Sequence, residues 1–261
     1  NVVYFLLNTD GFGRKSANYK GDIEWNGLYR YTYIKGDGSG DSGVWEDLSM
    51  NLPNGGVFDR WNVQGSYDML VRVRPGNSQE VYIGGTNVYR SSTGFSDSTH
   101  TEKIGGYKLK AQFPDVGVWA NHHPDQHNLL FYPNDGSKLL SSNDGGVFRS
   151  VSLSASPFAW ESLNNGYLTT QFYTVALDHG TPESPLLVGG AQDNNQLMTV
   201  SMDPRAPWST VYFGDGSYCA MEDGAKLHYF SKQQGKMIKA TVDGSGNRTA
   251  YARIDPIGGG K

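Results

Sequence analysis

One cysteine, Cys219, stands among the 261 residues, so no intrachain disulfide, no cysteine zinc cluster and no internal redox pair can form. It lies in the strand-like run Ser217-Tyr218-Cys219-Ala220-Met221 and reads as a small buried residue. Charge is scarce as well: charged residues make up 18% of the chain and the formal net charge is -4. That balance argues against a surface that tracks phosphates and against a nucleic-acid partner. No apolar run approaches the roughly 20 residues that a membrane-spanning helix needs. The opening Asn1-Val2-Val3-Tyr4-Phe5-Leu6-Leu7 lacks the basic region and cleavage site of a signal peptide and reads as a strand. An opening without methionine and the close Arg253-Ile254-Asp255-Pro256-Ile257-Gly258-Gly259-Gly260-Lys261 lead us to expect a processed or excised piece of a longer polypeptide.

Glycine and aromatics are plentiful, at 34 residues and 13%, which suits short strands joined by tight turns. Five segments share one grammar, a short apolar strand, a Gly/Asn/Asp turn and a second strand. They are Val2–Leu6 with Gly27–Tyr31, Glu80–Asn87 with Val88–Ser91, Lys138–Gly146 with Val147–Ser150, Pro185–Asn195 with Gln196–Val200, and Lys226–Phe230 with Lys236–Lys239. Their starts fall about 40 to 80 residues apart, a spacing that brackets propeller blades carrying loop insertions. A strand opening on or near tryptophan follows three of the hairpins, at Trp45, Trp160 and Trp208. A further strand precedes the hairpin at Met69–Val73, Asn128–Phe131 and Phe172–Leu177. Four strands per unit define an all-β fold, a β-propeller of four-stranded antiparallel blades spanning residues 1–261, with blades beginning near 2, 67, 126, 171 and 217. About five blades are expected. The first unit starts at its second strand, so these blades are expected to form an arc of a larger propeller, completed by the remainder of a parent chain or by another subunit.

Four stretches carry a family resemblance: His122-His123-Pro124-Asp125-Gln126-His127, Asn143-Asp144-Gly145-Gly146-Val147-Phe148-Arg149-Ser150, Gly166-Tyr167-Leu168-Thr169-Thr170-Gln171-Phe172-Tyr173 and Gly189-Gly190-Ala191-Gln192-Asp193-Asn194. Together they resemble the Asp-box (BNR), sortilin-like and family 74 xyloglucanase-like propellers, most closely from about residue 67 onward. The resemblance implies a bacterial exported protein, secreted or at the cell surface. One Asp-box match consists of Ser141, Asn143, Gly145 and Phe148. In such repeats the Asn caps turn amides, glycine frees the backbone and the aromatic packs inside the blade.

Function has to be read from sites, because one propeller scaffold hosts unrelated activities. His122, His123 and His127 with Asp125 could contact substrate, hold a transition metal or supply acid-base groups; they equally suit a loop entering a strand, hydrogen-bonded to neighbouring blade edges. Gln192, Asp193 and Asn194 offer hydrogen-bonding groups beside a Gly-Gly turn, or simply an Asx turn. Asp125 and Asp193 are the catalytic candidates if the chain is an inverting glycoside hydrolase with paired carboxylates. Asp37 and Asp41, in the loop Gly36–Gly43, admit a calcium reading beside that of a plain insertion, and no other cofactor is expected. Trp25 and Trp61, with Tyr29, Tyr31 and Tyr33, form an aromatic set suited to stacking on sugars or to filling strands. The sequon Asn247-Arg248-Thr249 decides nothing about glycosylation. Two functions stand: an extracellular recognition or scaffold propeller binding a polysaccharide or a surface protein, which we favour, and a xyloglucanase-like hydrolase.

Overall fold

The computed structural model describes residues 1–18, 21–112, 116–167, 170–224 and 227–256. Leu168 and Thr169 of the third family stretch, Lys226 of the last hairpin and Ile257–Lys261 lie outside the described residues. The chain divides into two compact units, Asn1–Tyr167 and Leu168–Lys261. The first holds three sheets and the second holds two, all antiparallel and all four-stranded. These sheets are the blades of a β-propeller fold.

The first sheet comprises β1 (Val2–Leu7), β2 (Arg14–Ala17), β3 (Ile23–Tyr33) and β4 (Gly43–Asp47). The second runs β5 (Leu70–Arg74), β6 (Asn77–Gly84), β7 (Val88–Ser91) and β8 (Thr101–Gly105), and the third β9 (Gln126–Tyr132), β10 (Asp135–Asn143), β11 (Gly146–Ser150) and β12 (Trp160–Ser162). In the second unit the fourth sheet is β13 (Thr174–Leu177), β14 (Leu187–Gly190), β15 (Gln196–Thr199) and β16 (Ser209–Tyr212), and the fifth β17 (Cys219–Met221), β18 (Leu227–Lys232), β19 (Lys236–Val242) and β20 (Arg248–Arg253). Sheets two to five keep their strands in chain order, as short strands joined by tight hairpins must. The tryptophan-led segments Trp45–Asp47 and Trp160–Ser162 and the run Ser209–Tyr212 are the last strands of their sheets.

The first sheet departs from that plan. The long β3 pairs β2 through residues 23–26, pairs β1 through 27–32, and pairs β4 on its other side through 29–33. One cross-strand pair fixes its relation to the other blades. Arg30 sits opposite Glu46, Arg90 opposite Glu102 and Arg149 opposite Glu161, each on the last two strands of its sheet. The ion pairs measure 2.7, 2.6 and 2.5 Å. In the same register Arg30 faces Tyr4, Arg90 faces Tyr82 and Arg149 faces Leu140. Strand β1 is therefore the counterpart of β6 and β10, and among the described residues β5 and β9 have no equivalent in the first sheet.

Alternation places one face of each strand inward. In the first unit Tyr4, Leu28, Leu52, Trp61, Val81, Ile83, Tyr89 and Phe95 make one buried cluster. A second cluster gathers Tyr82, Val88, Ile104, Leu129, Leu139, Phe148, Phe158 and Trp160. The second unit has its own core of Val188, Met198, Val211, Phe230, Ile238, Ala240 and Val242. Cys219 is half-buried there, its sulfur 3.5 Å from the Val188 carbonyl oxygen, and burial raises its thiol pKa.

Candidate functional site

In the first unit the β6–β7 turn holds two loops at one end of the second and third sheets. Gly85 leaves no room for a side chain, since a Cβ there would lie 2.2 Å from the Asn62 carbonyl oxygen. That close approach lets the Thr86 amide donate to the Asn62 oxygen at 2.8 Å. On the other flank the Asp125 amide donates to the Thr86 oxygen at 3.0 Å, and the Gln126 amide to the Gly85 oxygen at 2.9 Å. Gln64, Gly65 and Ser66 all take left-handed conformations, with φ of 49°, 66° and 78°. This reversal brings the Asp68 amide onto the Val63 oxygen and turns the Asp68 side chain inward.

Asp68 thereby meets Asp125, Asp144 and His127. Its carboxyl is fully buried, and among the described residues no N–H or hydroxyl group donates to either oxygen. Burial first, then the charges of Asp125 and Asp144 and a direct contact with the Asp125 carboxyl, push the Asp68 pKa up to about 8. Asp125 is half-buried, holds a left-handed φ of 63°, and accepts a 2.5 Å hydrogen bond from Gln64 Nε2. Its pKa is also raised, by burial and by the charge of Asp144, against the opposing contribution of Gln64. At the rim His127 Nε2 lies 2.5 Å from Asp144 Oδ1, and its Nδ1 lies 4.0 Å from Asp68 Oδ1. Tyr67, 73% exposed, sets its edge against the His127 ring at 5.7 Å. Gln64 also lines a neighbouring cleft of about 360 Å³, walled by Val57, Phe58 and Tyr107 with Asn62 and Asn87. Amides and aromatic faces thus open beside a group of carboxyls.

The three histidines expected to act together separate. His127 faces this site, but His122 is 3% exposed and stacked on Trp160 at 4.3 Å. The Gly106 amide donates to His122 Nδ1 at 3.1 Å, which leaves Nε2 protonated and 3.0 Å from the Ser141 hydroxyl oxygen. Burial, reinforced by His123, lowers the His122 pKa to about 3. His122 is therefore a neutral core residue rather than a ligand contact. His123 packs on Gly145, where a Cβ would come within 2.4 Å of its own Cβ. Trp61, expected on a sugar face, is 2% exposed and packs edge-on to Tyr89, so its ring is closed to ligand. Trp25 is half-buried, with Lys15 Nζ 5.9 Å from its ring centre.

Ser141, Asn143, Gly145 and Phe148 form a structural group. The Gly145 amide donates to Asn143 Oδ1 at 3.0 Å, the Ser141 hydroxyl donates to Gln126 Oε1, and Phe148 is buried in the core. Asn143→Ala is expected to destabilise the first unit by about 1 kcal/mol through the orphaned turn amide, measured as a lowered denaturant midpoint with unchanged slope.

Asp193 belongs to the second unit, whereas Asp125 belongs to the first. Asp193 and Asn195 are left-handed, with φ of 57° and 73°, and the Asp193 amide donates to Asp215 Oδ1 at 3.2 Å. Gln192 contacts the Tyr173 hydroxyl, and Asn194 Nδ2 donates to the Gln192 carbonyl oxygen. Gln192 lines an open hollow of about 460 Å³ with Tyr173, Asp215, Lys232 and Gln233. Asp37 closes its own turn by accepting from the Ser39 amide and hydroxyl at 3.0 and 2.7 Å, and Asp41 is exposed in the same loop. Among the described residues no three His, Cys, Asp or Glu side chains converge in a geometry that would hold a metal ion.

No family model matches the chain, and no curated protein matches it. Among solved structures it is similar to a GH74 enzyme from Niastella koreensis, at 14% identity and a TM-score of 0.36, covering 95% of this chain and 42% of that one. It is also similar to Sqt1 from Chaetomium thermophilum, solved bound to the N-terminus of the ribosomal protein L10, at 10% identity and a TM-score of 0.32, covering 88% of this chain and 58% of that one. The chain thus spans about half the length of these structures.

Proposed function

We propose that the protein is a glycan-recognition propeller of the cell exterior, binding a polysaccharide segment at the loop end of its first unit. The observation that carries this reading is Gln64, which lines the amide- and aromatic-walled cleft and also hydrogen-bonds Asp125. Sugars are bound by planar amides and carboxylates that satisfy hydroxyl groups and by aromatic faces that cover C–H surfaces. Asn62 adds an amide beside Gln64, and Tyr107 and Tyr67 add aromatic faces. Calorimetric titration of the chain with a panel of oligosaccharides is expected to give saturable binding to at least one of them. In the double variant Gln64→Ala, Tyr67→Ala that affinity is expected to fall about tenfold. If no saccharide binds, or the double variant binds as the parent does, the reading fails.

Hydrolysis is the second reading, favoured by the contact between Asp68 and Asp125. A carboxyl that keeps its proton near neutral pH beside a second carboxyl is an arrangement that general acid catalysis uses. Release of reducing ends that disappears in Asp125→Asn would select it.

A further inference from the structure

We propose that the group Asp68, Asp125 and Asp144 is a subsite for a primary ammonium carried on a saccharide, so that the glycan bound at the first unit is an amino sugar with a free amine. This rests on the glycan reading above and names the class of sugar. A neutral sugar gives no reason to gather three carboxyls, and burying even one without donors is costly. Asp68 has zero exposure, no donor on either oxygen and an aim into the group. Among the described residues no N–H donor reaches either oxygen, and its polar neighbour is the carboxyl of Asp125. Neither lysine nor arginine pairs with these three carboxyls among the described residues; the basic groups facing them are His127, on Asp144 and 4.0 Å from Asp68, and His123, whose charge opposes the rise of the Asp125 pKa.

An ammonium suits the arrangement better than a chelated ion. Its three N–H donors reach separate acceptors at hydrogen-bond distance, whereas a metal needs convergent ligands that the described residues do not present. The exposed Tyr67 ring, edge-on to His127, offers a face for the sugar that carries the amine. Gln64, hydrogen-bonded to Asp125, leads from this subsite to the cleft, so the residue next along the glycan would lie against Phe58 and Tyr107. Binding leaves the ligand's covalent structure unchanged; an amine that arrives unprotonated takes the proton of the Asp68 carboxyl, and one that arrives as ammonium displaces that proton to solvent.

Four probes test this: a glucosamine hexamer, an N-acetylglucosamine hexamer, a glucose hexamer and a lysine hexapeptide, each titrated calorimetrically near pH 7.5. The glucosamine hexamer is expected to bind at least about tenfold more tightly than its acetylated counterpart, the value of one charge-assisted hydrogen bond. Asp144→Asn, at an exposed position that does not threaten folding, and Asp68→Asn are each expected to bring the preference for glucosamine over N-acetylglucosamine close to one. Equal binding of the two hexamers overturns the proposal and leaves the glycan reading intact. Failure of all three saccharides removes both. A lysine hexapeptide that binds as tightly as the glucosamine hexamer overturns the amino-sugar assignment in favour of a protein amine.

Discussion

Replacing Asp68 by asparagine is expected to remove a loss of stability that this carboxyl imposes on the first unit as the pH rises from about 4 to 8, so that the variant gains on the parent steadily through that interval. In the unfolded chain this carboxyl titrates at its ordinary value of 3.8, and in the folded protein at about 8. Between those values the folded state holds a proton that the unfolded state has released. Raising the pH therefore favours unfolding, by about 1.4 kcal/mol per pH unit while the difference persists. The penalty is absent below pH 4, grows through the interval and is complete above pH 8. Asp125 shifts in the same direction and adds to the slope. Asparagine keeps the size of the side chain without a charge to desolvate, so at pH 8 the variant is expected to unfold at the higher temperature. Thermal unfolding followed from pH 5 to pH 8.5 decides the matter. Parallel curves for parent and variant would mean that Asp68 is not the buried acid described here.

Trp160→Ala is expected to cost the first unit about 3–5 kcal/mol, the range for removing a large aromatic from a packed core. Trp160 is 3% exposed and touches Phe158 and His122, at ring separations of 5.2 and 4.3 Å. Its Nε1 donates to the Ile104 carbonyl oxygen at 2.6 Å, tying the third sheet to the second. Truncation leaves a cavity, an orphaned carbonyl and an uncovered face of a neutral histidine. Set against a typical stability of about 5–15 kcal/mol, the loss brings the unit close to unfolding at growth temperature. Trp160→Phe retains most of the ring contacts and is expected to cost about 1–3 kcal/mol, chiefly for the orphaned oxygen. Denaturant unfolding of the two variants separates packing from the hydrogen bond. A loss below about 1 kcal/mol in the alanine variant would remove Trp160 from the core.

The blades were legible because each hairpin announces itself locally: β6–β7, β10–β11 and β14–β15 alternate around Gly- and Asn-rich turns. The division of β3 between two partners was not, since nothing in Ile23–Tyr33 marks where pairing passes from β2 to β1. His127 and Asp125 stood out through the density of histidine in six residues, but periodicity could not tell that His122 turns inward while His127 turns outward. Asp68 escaped notice for a different reason. In Gly65-Ser66-Tyr67-Asp68 it looks like one more polar turn residue, and its meaning comes from Asp125 and Asp144, far away in sequence and brought near by the Gly85–Thr86 turn. The Arg–Glu pairs were hidden similarly, because only the strand register sets their members opposite each other.

Those pairs have a bearing on how the sheets meet other molecules. Glu46, Glu102 and Glu161 lie on strands that end their sheets, where unpaired amides and carbonyls would welcome a foreign strand. A fixed anion in mid-strand, held by an arginine of its own sheet, has to be stripped of water and lose its partner before another backbone can dock along that border. Valine in place of these three glutamates is expected to raise the tendency of the chain to associate edge to edge, read as light scattering on incubation.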